Sequence, residues 1–222
     1  PRAEHAEDRI FMICCSVFWE DDPTPLASVC LVDVESAPDA AWTTVVCGSE
    51  RNMIRGFAAV LAHFSPDIIV GFNDGEYDWP FVIARAREYG DLAFLVDAAG
   101  GCVRRGRDEK SADTWNVVSD LRIKIGAGMD AYVSHIRTPG IVPVDARVCF
   151  RKIFTKAETG KAASSLKFYL KQCHLESKED IMDDPNNSGL LLDDLDAFVL
   201  TFAGPLARNA YAGGDHPHAP LV

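Results

Sequence analysis

The stretch PDIIVGFNDGEYDWPFVIARA (66–86) decides how the rest of the chain is read. DIIVGF (67–72) is a compact apolar run of strand length. NDGEY then makes a short loop, and an amphipathic segment follows. Pro80 falls where a first helical turn tolerates it, and Gly90 lies just past the end. The unit is strand, loop, helix. In an open α/β sheet, ligands collect at the carboxyl ends of strands, so Asp78 is expected to project into a crevice there. A carboxylate so placed either ligates a hard divalent cation or caps the helix that opens at Trp79. Asn73 is open to a turn role as well.

Upstream, three β-type runs are predicted: RIFMICCSVFWED (9–21), ASVCLVDV (27–34) and WTTVVCG (42–48). The turns between them are short, so consecutive antiparallel pairing is expected, with 67–72 beside the first strand. From Ser49, the apolar residues Met53, Phe57, Val60, Leu61 and Phe64 recur at three- and four-residue spacings. This predicts a helix capped by Ser49 and ending near His63–Ser65. The order β-β-β-α-β-α is that of the ribonuclease-H-like fold. The fold class is therefore α/β, with three antiparallel strands followed by alternating α/β and flanking helices.

Beyond residue 91 the patterning weakens. AAGGCVRRGRDEK reads as a basic loop, TWNVVSDLRIKIGAG as a hairpin, 141–154 as a strand running into a helix, and 164–173 as a helix. The expected division is a lead-in (1–8), one N-terminally truncated domain (9–175) and an acidic, irregular tail (176–222). The chain opens on Pro1, which is expected of a processed protein or a piece of a longer one.

The 222 residues carry a net charge of −11. That argues against a protein coating duplex DNA by diffuse charge, but allows an acidic enzyme that touches a few nucleotides. Residues 145–171 run the other way, with seven Lys/Arg against two acids. They form either a solvated basic face or a surface that tracks phosphates. Seven cysteines without a C-x-x-C read as free thiols in a reducing, intracellular compartment. No apolar stretch approaches the ~18–20 residues of a membrane span, so no membrane partner is expected.

Asp67-Ile68-Ile69-Val70-Gly71-Phe72-Asn73, followed by Tyr77-Asp78-Trp79-Pro80-Phe81, resembles the second exonuclease motif of family B DNA polymerases. Gly140–Asp145 and Ser164–Leu170 are similar to later segments of that domain, in the same order. The flavour is that of delta-type and large-DNA-virus enzymes. The resemblance implies a 3′–5′ proofreading exonuclease region in DNA replication, using two Mg²⁺ or Mn²⁺ ions held by four carboxylates. Asp78 would be a catalytic, metal-binding residue. Asn73 and Tyr77 would line the single-stranded 3′ end, and Lys161 and Lys167 would add nucleic-acid contacts. The implied partners are DNA and the rest of the polymerase chain, and the implied location is the nucleus or a viral replication site. Two departures stand out. The family's Asp-x-Glu is missing before the second strand. Its Tyr-x-x-x-Asp finds a match only in Tyr211…Asp215, whose glycines disfavour a helix and which alternatively resembles the segment preceding the palm. The chain is therefore expected to be inactive alone. The alternative is a non-catalytic nucleic-acid-binding or structural remnant.

Overall fold

The computed structural model describes residues 8–36, 40–101, 108–154 and 165–174, together with the backbone of 198–203. Its centre is a mixed sheet built around β1 (Met12–Phe18). The strand alternates as its sequence requires: Ile13, Cys15 and Val17 are buried on one face, and Cys14 and Ser16 lie on the other. β2 (Ala27–Val32) pairs with β1 antiparallel, with Cys14 opposite Cys30 and Ser16 opposite Ser28. These small side chains touch across the ladder, Sγ to Sγ at 3.2 Å and Oγ to Oγ at 3.1 Å. The six cysteines among the described residues are free thiols, and burial pushes the Cys15 thiol up to about 12.

Helix α1 (Glu50–Phe64) covers the apolar face of the sheet, burying Met53, Ile54, Phe57, Val60 and Leu61. Ser49 caps it by accepting from the Asn52 amide, and Ser65 ends it in a left-handed conformation. β4 (Ile68–Gly71) follows β3 (Thr43–Val46) in chain order, and then α2 (Asp78–Tyr89) closes on Gly90 at φ 64°. Helices α3 (Leu92–Ala98) and α4 (Glu109–Asn116) complete the layer. The hairpin β5 (Val117–Gly126) and β6 (Met129–Ile136) forms a separate two-stranded sheet. β7 (Val142–Asp145) leads into α5 (Ala146–Ile153), and α6 (Leu166–Gln172) follows. Among the described residues no helix is long and apolar enough to cross a membrane.

This is an α/β fold with a mixed sheet and flanking helices in the ribonuclease-H-like arrangement. Three details differ from the sequence reading. β3 runs parallel to β2, not antiparallel. Ten residues separate the two strands, more than the tight turn of a two-residue hairpin, so the sequence spacing does not compel antiparallel pairing. β4 belongs to the same sheet as β1 but is not its neighbour, because β8 (Phe198–Ala203) lies between them in the order β3-β2-β1-β8-β4-β7. That segment was expected to be irregular. Its backbone runs parallel to β1 and antiparallel to β4, so both inner strands find ladder partners.

One buried ion pair ties α1 to α2 and to the residues leading into β1. Glu50 accepts from Arg85 Nε at 2.8 Å and from Arg85 Nη2, from the Tyr89 hydroxyl at 2.7 Å, and from the Ile10 amide at 2.9 Å. Burial pushes its carboxyl up, but these donors outweigh burial and hold it below the usual range. Glu50→Ala would leave the Arg85 guanidinium buried without its main partner. We expect a loss of about 3–5 kcal/mol in urea denaturation. A loss below about 1 kcal/mol would show that the pair is dispensable.

Candidate active site

β4 and β7 run parallel, with Gly71 opposite Asp145, so their carboxyl ends open on the same edge. Ligands gather at this place in α/β sheets. Between β4 and α2 the chain makes a tight loop. Asn73 adopts φ 65°, a conformation that asparagine tolerates better than most residues. Two glycines let the loop close. A Cβ on Gly71 would fall 2.4 Å from Asp74 Cγ, and one on Gly75 would fall 2.7 Å from Val133 Cβ. The hairpin also holds the loop directly, since the Ser134 amide donates to the Gly75 carbonyl at 2.7 Å.

Asp145 is the hub. It caps α5 through the amides of Arg147 (2.9 Å) and Val148 (3.4 Å). It also accepts from the amides of Asn73 (3.0 Å) and Gly75 (3.4 Å), which are 72 and 70 residues away in sequence. Arg147 reaches back across the junction, donating from Nη1 to Asn73 Oδ1 and to Glu76 Oε2 at 3.0 Å. Asp74 lies beneath, 3% exposed, with Oδ2 accepting from the Trp79 indole at 3.1 Å. Its Oδ1 is buried without a hydrogen-bond partner. Burial first, and the nearby Asp145 carboxylate second, push Asp74 up to about 7.

The structure brings Asn73, Tyr77 and Asp78 together on this loop. Asp78 is half-buried and is the first residue of α2; the N-cap position falls on Tyr77, which makes no side-chain capping bond. The Tyr77 ring lies 6.5 Å from that of Phe81. Tyr169 is buried in an aromatic stack, parallel to Phe150 at 4.9 Å and also against Phe154 and Phe72. The stack sets α6, on which Lys167 is exposed, against the residue preceding Asn73. Lys161, Tyr211 and Asp215 lie outside the described residues.

A pair of divalent cations wants several oxygen donors. Among the described residues no group of three or more His, Cys, Asp or Glu is placed to hold a metal ion. Asp145 has both oxygens committed to amides, and Asp74 is sealed beneath the loop. These residues alone do not fit such a centre, and no metal-dependent step is derived from them.

Four participants escaped the sequence reading as site residues: Asp74, Glu76, Asp145 and Arg147. Two signals pointed to them. Three acids lie within six residues at 73–78, and an Asp stands directly before a helix, which is the N-cap pattern.

Residues 1–157 match the exonuclease domain of DNA polymerase family B. The chain is 35% identical over 191 residues to "DNA polymerase beta" of African swine fever virus (isolate Tick/Malawi/Lil 20-1/1983), covering 82% of this chain and 14% of that protein. It is 27% identical over 139 residues to a "DNA polymerase" of Archaeoglobus fulgidus, covering 56% and 17%. The chain thus spans about one-seventh of the length of its viral relatives.

Asp74 gives a pH prediction. The native chain keeps this proton to about pH 7, whereas the unfolded chain releases it near 3.8. Its contribution to stability is therefore fully present below pH 4, is lost as pH rises toward 7, and is level above. Asp74→Asn, an isostere of the protonated acid, should gain on the wild type across that window. We expect a gain on the order of a few kcal/mol at pH 8, measured by urea denaturation at stepped pH. Parallel pH profiles would mean that Asp74 ionises normally in the fold.

Proposed function

The chain belongs to the exonuclease domain of DNA polymerase family B, and from that premise we propose that it is the 3′–5′ proofreading region of a replicative DNA polymerase. Its substrate on this reading is the single-stranded 3′ end of DNA. The observation that carries the proposal is the loop from Asn73 to the start of α2 at Asp78, fixed at the carboxyl ends of β4 and β7, with the Tyr77 amide donating to the Asn73 carbonyl at 3.2 Å. Asn73 offers an amide for hydrogen bonding to a nucleotide, and Tyr77 offers a ring for packing against a base or sugar. Asp78 is the carboxylate that would contribute to a Mg²⁺ or Mn²⁺ centre in the intact polymerase, with further ligands drawn from outside the described residues. Lys167, together with Lys161 outside the described residues, would add phosphate contacts. The partners on this reading are DNA and the remainder of a polymerase chain, acting in the nucleus or at a viral replication site.

A second reading has a specific observation in its favour. The described residues do not assemble a metal-ligand group, as a non-catalytic remnant that retains the fold and binds nucleic acid would also have it. Activity separates the two.

In a polymerase carrying this domain, Asp78→Ala should lower mismatch removal from a labelled primer by several orders of magnitude and leave primer extension near normal. Near-normal mismatch removal would leave Asp78 with a helix-stabilising role alone. The 222-residue chain by itself should show no appreciable Mg²⁺-dependent release of mononucleotides from a labelled single strand. Steady release that disappears in the Asp78→Ala chain would mean that residues outside the described set complete the site.

A further inference from the structure

Two arginines on α5 face the candidate site, and an acid of the site loop holds both of them. Arg147 Nη1 lies 3.0 Å from Glu76 Oε2, and Arg151 Nη1 lies 4.0 Å from Glu76 Oε1. They stand one helical turn apart, at i and i+4, so both reach the same side of the helix. Their side chains are 21% and 25% exposed, against 37% for Glu76, so the acid is the outermost member of the trio. Arg147 also donates to the Asn73 side chain, while its Nε–H is buried with no hydrogen-bond partner. A guanidinium carries five donors in a rigid fork, and that fork matches the oxygens of carboxylates and phosphates equally well. The trio is thus a built receptor for an anion, occupied by an anion of the same chain.

The rest of the charge pattern makes this arrangement consequential. The chain is net −11, so its overall charge opposes the approach of a polyanionic strand, which must be held by local basic positions. Arg147 and Arg151 are cations that the fold has brought to the rim of the loop carrying Asn73 and Asp78, and Glu76 neutralises part of their charge in the free protein.

We propose that Glu76 acts as an anionic gate: it occupies the Arg147–Arg151 anion site in the free protein and is displaced by a backbone phosphate of the bound single strand. The inference rests on the single-strand-binding reading above and adds to it a specific phosphate subsite and its built-in competitor. The exposed Glu76 side chain swings outward, the two guanidiniums turn to the phosphodiester, and Arg147 keeps Asn73 beside the strand. The gate makes binding depend on a phosphate at this one position, so a bare nucleoside cannot open it.

The test is fluorescence anisotropy of the 222-residue chain with a labelled oligo-dT at low salt, with thermal melts to verify folding. Glu76→Gln should tighten binding about threefold to tenfold by removing the competitor. Arg147→Gln/Arg151→Gln should weaken binding and flatten the salt dependence by about one to two phosphate contacts. Glu76→Gln placed in that double background should then give no gain, which separates a local gate from a general change in charge. Should the double variant fail to fold, Arg151→Gln alone supplies the background, and there the gain should shrink. Thymidine monophosphate and inorganic phosphate serve as competitors. A larger gain for oligo-dT than for either assigns the site to the strand's backbone, and an equal gain for all three overturns that assignment. An equal gain from Glu76→Gln with and without the arginines overturns the gate while leaving single-strand binding intact. No binding by the wild type or by any variant overturns both the gate and the reading beneath it.

Discussion

Asp145 accepts hydrogen bonds from four backbone amides, two in the helix it caps and two in a loop 70 and 72 residues earlier. Each alone is an ordinary contact. Together they lock the exit of β4 to the entry of α5, and the geometry of the candidate site follows from that lock. Asn73 is held in a left-handed turn, Gly75 is pressed against the hairpin, and Asp78 is delivered to the start of α2. The parallel pairing of β4 with β7 is what makes this possible, because it brings two strand ends to one edge of the sheet. Gly71 and Gly75 supply the clearance, since a side chain at either would strike Asp74 or Val133.

The acids of this protein divide by what surrounds them. Asp91 is clamped by Arg51 Nε at 2.6 Å and Arg55 Nη2 at 2.7 Å. The Arg51 hydrogen bond, against burial and with help from Arg55, holds its carboxyl down at about 2. It bridges the N-terminus of α3 to α1, and Glu50 bridges α1 to α2 in the same manner. Those pairs hold the helical layer on the sheet. Asp74 is the opposite case: buried, only partly hydrogen-bonded and beside another carboxylate. A fold tolerates such a group where its surroundings over-determine it, and such groups concentrate near functional sites. The buried acids of the helical layer are paired with arginines, whereas the buried charged groups with an unpartnered atom, Asp74 Oδ1 and Arg147 Nε, sit where the loop meets α5.

Local features of the fold were legible in the sequence because local chemistry fixes them. Ser49 caps α1 by accepting an amide three residues on, and Gly90 ends α2 in the left-handed conformation. A hairpin was read at 114–128, but that segment holds the end of α4, β5 and the turn, and the second strand β6 lies wholly beyond it at Met129–Ile136. What the pattern did not carry was relational. The direction of β3 relative to β2 and the placement of β8 between β1 and β4 are both set by pairing partners, which local pattern does not encode. α3 is seven residues long, too short for a period to be read. The loop motif located Asn73, Tyr77 and Asp78 through its fixed spacing. Asp145 and Arg147 were visible as a strand end and as part of a basic run, but their hold on the loop is a tertiary contact that spacing cannot reveal.

One carboxylate on the neighbouring strand, that of Asp145, holds the candidate site in place. Amide hydrogen exchange, resolved by residue in the wild type and in Asp145→Ala, tests it most directly. The account predicts that the amides of Asn73, Gly75, Arg147 and Val148 exchange faster together in the variant, while the interior amides of α1 keep their protection. Wild-type protection at Asn73 and Gly75 in the Asp145→Ala chain would contradict it, and would show that the loop holds its shape without Asp145.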